Sequence, residues 1–66
     1  MKEVNEIPKE GQFIAIWSFR GNVWSGVFRI EDEKIFEYND NENEFELSGP
    51  YFLGADFKNI KYFVME

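Results

Sequence analysis

Gln12-Phe13-Ile14-Ala15-Ile16-Trp17-Ser18-Phe19-Arg20-Gly21-Asn22-Val23-Trp24-Ser25-Gly26-Val27-Phe28-Arg29-Ile30-Glu31 can be paired with itself, and that pairing decides the fold. Gly21-Asn22 is a two-residue hairpin signal, with Gly supplying the positive φ that a II′ turn needs at its first central position. Arg20 then faces Val23, and the pairs Phe19–Trp24, Trp17–Gly26, Ala15–Phe28 and Phe13–Ile30 share one face. Two of these set a large ring against a small residue, so the face can be apolar without crowding. A slip of one residue would turn every side chain to the wrong face.

Working outward, Gln12 to Phe19 and Val23 to Glu31 are strands, and Asp32-Glu33-Lys34 reads as a polar turn. Ile35 to Asn39 is a third strand. Asp40-Asn41-Glu42-Asn43 is a loop, its Asn and Asp tolerant of left-handed backbone. Glu44 to Leu47 alternates charged and apolar residues, a short strand with Phe45 and Leu47 inward. Ser48-Gly49-Pro50 breaks the pattern, and Tyr51-Phe52-Leu53 is a short strand or a packed loop. Asn59 to Met65 is the last strand, with Ile60, Tyr62 and Val64 on one face. Residues 1–11 form an extended lead-in, because Ile7-Pro8 favours extended or turn geometry. Helical periodicity is confined to one turn at most, around Asp56 to Lys61. The expectation is one all-β domain over residues 1–66, an antiparallel meander or SH3-like barrel of five to six short strands. Its core would hold Phe13, Trp17, Phe19, Trp24, Phe28, Ile30, Phe36, Phe45, Tyr62 and Val64.

Size and composition bound the function. A chain of 66 residues buries only about 60% of its extended surface on folding. Eight Phe, three Tyr and two Trp compensate, since each ring buries a large area. The chain has no Cys and no His, so it lacks a disulfide, a thiolate site and the usual proton shuttle at neutral pH. The polar start and the short apolar runs predict a soluble, cytoplasmic protein without a membrane contact. Net charge is −6, and the excess belongs to one segment. Glu31, Asp32, Glu33, Glu37, Asp40, Glu42, Glu44 and Glu46 are opposed there only by Lys34, while the remaining residues are nearly neutral.

Four chemistries can be weighed on these residues. Asp40-Asn41-Glu42-Asn43-Glu44 superficially resembles an EF-hand loop, but Phe45 stands where that loop needs Gly, so no metal is expected. Glu37 and Glu46 could neighbour each other, yet alternation puts both on the solvent side, and the serines lack an activating partner; no enzyme is expected. A long nucleic acid would be repelled by the acidic segment. A small nucleotide would need only a few cations and a ring, drawn from Trp17, Arg20, Trp24 and Arg29. The carboxylates from Glu31 to Glu46, regularly spaced on a sheet, could instead occupy a basic groove on a partner protein. The other face of the hairpin carries Ile14, Ile16, Val23 and Val27, an apolar strip where an antiparallel sheet is normally polar. Either the C-terminal strand wraps over it, or a second copy of the chain or a partner covers it.

Residues 7–17 (Ile7-Pro8-Lys9-Glu10-Gly11-Gln12-Phe13-Ile14-Ala15-Ile16-Trp17), with Gly21-Asn22-Val23-Trp24-Ser25 and Phe36-Glu37-Tyr38-Asn39, resemble small accessory proteins encoded by bacteriophages. Many of those are short, acidic, poor in cysteine and rich in aromatic residues. The resemblance covers residues 7 to 47 and is one of style and spacing, so it transfers no functional residue. It implies a non-catalytic protein that binds a bacterial host component, as inhibitors of defence or transcription machinery and oligomeric nucleotide sponges do; the reading taken is an inhibitor that occupies a host protein. The alternatives are an oligomeric sponge that sequesters a nucleotide signal, and a small structural or assembly component.

Overall fold

A computed structural model describes residues 1–65. Among them, six antiparallel strands form one sheet: β1 (Lys2–Val4), β2 (Gly11–Phe19), β3 (Asn22–Glu31), β4 (Lys34–Asn39), β5 (Glu44–Leu47) and β6 (Phe57–Val64). Their order across the sheet is β1-β6-β2-β3-β4-β5. The last strand thus returns beside β2, after a 3-10 turn at Tyr51–Leu53. The protein is all-β, and its lead-in is partly structured: Lys2–Val4 pairs with Tyr62–Val64 as an edge strand.

The β2–β3 hairpin forms two residues away from the expected register. Arg20 (φ 50°) and Gly21 (φ 81°) are the central turn residues, and Phe19 faces Asn22. Positive φ at both positions defines a type I′ turn, one of the two turn types whose twist matches that of the flanking strands. An even shift keeps each side chain on its face but changes every pair. Trp17 meets Trp24, Ala15 meets Gly26 and Phe13 meets Phe28. The small Ala15–Gly26 pair lies between two aromatic pairs as a trough.

That face is the core. Phe13, Ala15, Trp17, Phe28, Ile30 and Tyr62 are buried, together with Phe52 from the 3-10 turn. Phe52 stacks on Trp17 at 5.3 Å between centroids and touches Phe28 at 5.0 Å. Val4, Ile7, Phe19, Ile35, Phe57, Ile60 and Val64 pack around this cluster. Trp24 falls outside it, 52% exposed near the hairpin tip.

Phe36, Phe45 and Leu47 lie on the opposite face, contrary to the expected core. A three-residue turn at Asp32-Glu33-Lys34 would have set Phe36 against Ile30. Instead Asp32 (φ 52°) and Glu33 (φ 65°) make a two-residue turn, closed by Glu31 facing Lys34. Ile35 then faces Ile30, and Glu37 faces Phe28 on the core side. One residue less in the turn therefore inverts the whole β4–β5 hairpin.

β6 begins two residues earlier than the alternation predicts, because a bulge interrupts it. Ile16 faces Lys61 and Ser18 faces Lys58, so Asn59 and Ile60 together oppose Trp17. Asn59 takes the extra left-handed position (φ 55°), which Asn tolerates better than most residues. The bulge puts odd-numbered Phe57 on the same face as Ile60, Tyr62 and Val64, and Phe57 stacks on Phe19 at 4.6 Å.

Candidate functional site

The β4–β5 hairpin gathers the carboxylates at an edge of the sheet. Its loop is held by Asn39, whose side-chain oxygen accepts bonds from the backbone N–H groups of Asn41 (2.9 Å) and Glu42 (3.3 Å). The Asn43 N–H donates to the Asn39 carbonyl at 2.7 Å, and Asn43 closes the loop in left-handed geometry (φ 60°). The Tyr38 hydroxyl donates to the Asn43 side chain. Such local side-chain bonds replace the ladder where the strands part. On this frame the carboxylates of Glu42, Glu44 and Glu46 all lie within 4.8 Å of one another, each exposed to solvent. Asn39 donates to Glu46 at 2.9 Å. A groove of about 410 Å³ runs beside them, with Glu37, Asp40 and Glu46 in its wall.

The acidic segment is not one continuous ridge. Glu31, Asp32 and Glu33 sit at the far end of β4, roughly 17 Å from Asn39 at the usual rise per residue. Glu31 is turned toward Arg29, at 3.9 Å. Glu37 is partly buried on the core side rather than solvated, and it accepts a bond from the Tyr51 hydroxyl at 2.8 Å. It also neighbours Glu46 across the β4–β5 ladder. The acids that this end of the β4–β5 hairpin brings together are therefore Glu37, Asp40, Glu42, Glu44 and Glu46. Sequence reasoning missed Asn39, Asn43 and Tyr51 as the groups that position them. The Asn-rich composition of the loop was the available signal for the first two.

Burial, then the hydrogen bond to Glu37 and its negative charge, push the Tyr51 hydroxyl well above the ordinary tyrosine range. Burial raises Tyr62 as well. Both groups hold their proton in the folded state at pH values where the unfolded chain has lost it, from about pH 10 upward. The unfolded state then binds fewer protons, so stability falls as pH rises beyond that point. Urea midpoints are expected to be level through neutral pH and to drop between about pH 9 and pH 11. Tyr51→Phe, which keeps the ring, should make that drop shallower. An identical drop in wild type and variant would remove Tyr51 as its source.

The residues considered for a small ligand do not converge. Trp17 is 5% exposed and belongs to the core. Trp24 is on the core-side face near the tip, whereas Arg29 points to the outer face, where its guanidinium lies 4.3 Å from the Phe45 ring centre. Arg20 packs over Phe19 and shares an open groove with Lys58, which Asp56 also lines.

The expected strip of Ile14, Ile16, Val23 and Val27 is confirmed as one face, with Ile14 facing Val27. The C-terminal strand does not cover it, since β6 lies beside β2 and adds Phe63 next to Ile14. Among the described residues, no helix is long and apolar enough to cross a membrane. Compared with protein-family models, curated proteins and solved structures, the chain matches none.

Proposed function

We propose that the chain is a non-catalytic binding protein that occupies a basic surface of a partner protein with the β4–β5 edge. The observation that carries this reading is the crowding of the Glu42, Glu44 and Glu46 carboxylates within 4.8 Å, on β5 and the Asn39-locked loop that precedes it. Like charges held this close in the unbound protein repel one another, and a partner's Lys or Arg groups relieve that repulsion on contact. A loop backbone already held by Asn39 also loses little entropy on binding. The resemblance to phage accessory proteins makes a bacterial host protein the partner class.

The test immobilises the chain and passes bacterial lysate over it. A specific protein should be retained at low salt and released as salt rises, because exposed charge contacts are screened. The double reversal Glu42→Lys/Glu44→Lys should abolish retention, while Asp32→Lys/Glu33→Lys, at the other end of β4, should leave most of it. Equal capture by wild type and the first variant would remove the acidic edge from the reading.

A further inference from the structure

The sheet face turned away from the core is apolar from β5 across to β6. Phe45 faces Tyr38, Val27 faces Ile14, and Ile14 faces Phe63. Tyr38 stands beside Val27, one rung beyond the Phe28–Glu37 pair. The neighbouring row adds Leu47, 67% exposed, facing Phe36. None of these side chains belongs to the core cluster or to the residues packed around it.

Charge divides the two faces of the sheet. Glu46 faces Glu37 and Glu44 faces Asn39, so those acids lie on the core side. Lys58 and Lys61 lie on the outer face, opposite Ser18 and Ile16 of β2. Among the described residues neither lysine is in an ion pair. On the other flank of the same face, Asp40 lines a cleft with Ile14 and Val27.

We infer that two copies stack outer face on outer face, about a two-fold axis that runs along the strands between β2 and β3. In this arrangement β2 of each copy lies over β3 of the other, and β6 lies over β4. Ile14 then meets Val27, Phe63 meets Tyr38, and Lys61 meets Asp40, each contact occurring twice. The charged pair follows from the register: Ile16 faces both Lys61 and Ser25, and Asp40 follows Tyr38 by two residues on the Ser25 level. Arg29 lies over Gln12 of the second copy and keeps its own Glu31 and the Phe45 ring. No unpaired charge is therefore buried. Twisted sheets stack with their strands nearly aligned, as this axis requires. Six strands and the run from Val23 to Arg29 give a face of roughly 24 Å by 20 Å. Two such faces in contact bury about 1,000 Å² together, where specific interfaces begin. A net charge of −6 opposes approach through the acidic edge, whereas here basic and acidic flanks of the two copies meet. Glu44 and Glu46, on the core side, stay outside the contact.

The test is the mass of the 66-residue chain by sedimentation from about 1 µM to about 500 µM. A monomer–dimer equilibrium is expected. Ile14→Lys, at the centre of the contact, should weaken the dimer roughly tenfold or more. Val27→Lys keeps the experiment decisive if the first variant does not fold. Lys61→Glu should weaken the dimer by a similar factor, because the axis counts each substitution twice. Adding Asp40→Lys to it should restore most of the loss. Near-ultraviolet dichroism like the parent's identifies the variants that keep the fold. A monomer at every concentration overturns the inference, as does a dimer untouched by a folded lysine variant at Ile14 or Val27. A dimer that the Lys61 and Asp40 exchange neither weakens nor restores overturns the two-fold arrangement.

Discussion

Phe52→Ala is expected to leave the protein largely unfolded at room temperature. Phe52 is fully buried, the only buried residue of the 3-10 turn. Its ring stacks on Trp17 with an interplanar angle of 18° and meets Phe28, Tyr62 and Tyr51. It closes the open side of a core made otherwise of one sheet face, so neighbouring strands cannot fill the space it leaves. Buried Phe→Ala changes cost about 3–5 kcal/mol. A 66-residue domain has roughly 3–10 kcal/mol of total stability. The loss therefore removes most or all of it. Leu53→Ala is the control, because the next residue in the turn is 52% exposed and should change stability by less than about 0.5 kcal/mol. Near-ultraviolet dichroism and urea titration read both variants. A Phe52→Ala protein with a cooperative transition near the wild-type midpoint would show that the core does not depend on the turn.

That dependence was not legible in the chain. Tyr51-Phe52-Leu53 is too short to show a period, and only the burial of Phe52 beneath the strands reveals its role. The strands were legible because period-2 alternation survives errors in register. The hairpin formed two residues from the expected pairing, yet Phe13, Trp17 and Phe28 still turned inward. A one-residue error in a turn is less forgiving. At Asp32-Glu33 the chain adopts two left-handed residues, a backbone that Asp tolerates but Glu rarely takes, and this sends Phe36 and Phe45 outward. At Asn59 the bulge hides Phe57 from any strict alternation.

The acidic segment was visible as charge, but its division was not. Glu31, Asp32 and Glu33 belong to one end of β4 and the remaining acids to the other, a separation set by the strand's length. Glu37 was read as solvated because Phe36 was read as buried. The two errors are one parity error seen from both faces. With the parity corrected, Glu37 becomes the partner of Tyr51 and the rim of the core.

The same corrected parity makes Gly26→Ala the second large effect. A Cβ at Gly26 would stand 2.7 Å from a Glu37 carboxylate oxygen and 2.8 Å from Cε1 of Phe28. Real Cβ contacts are not this short, so something must move. Glu37 is a flexible side chain and could swing away, at the cost of its bond from Tyr51. Phe28 has no such freedom. Its ring is fully buried and packs at 5.4 Å on Phe13 and 5.0 Å on Phe52. Overpacking of this kind costs about 1–3 kcal/mol, against a small gain from lowering the entropy of the unfolded chain. Gly26→Ala should therefore lower the urea midpoint clearly. Adding Glu37→Ala to it relieves one clash and leaves the other, so recovery should be partial at most. Full recovery in the double variant would mean that the carboxylate, not the Phe28 ring, fills the trough beside Ala15. A Gly26→Ala protein as stable as wild type would mean that β3 can bend there without disturbing the core.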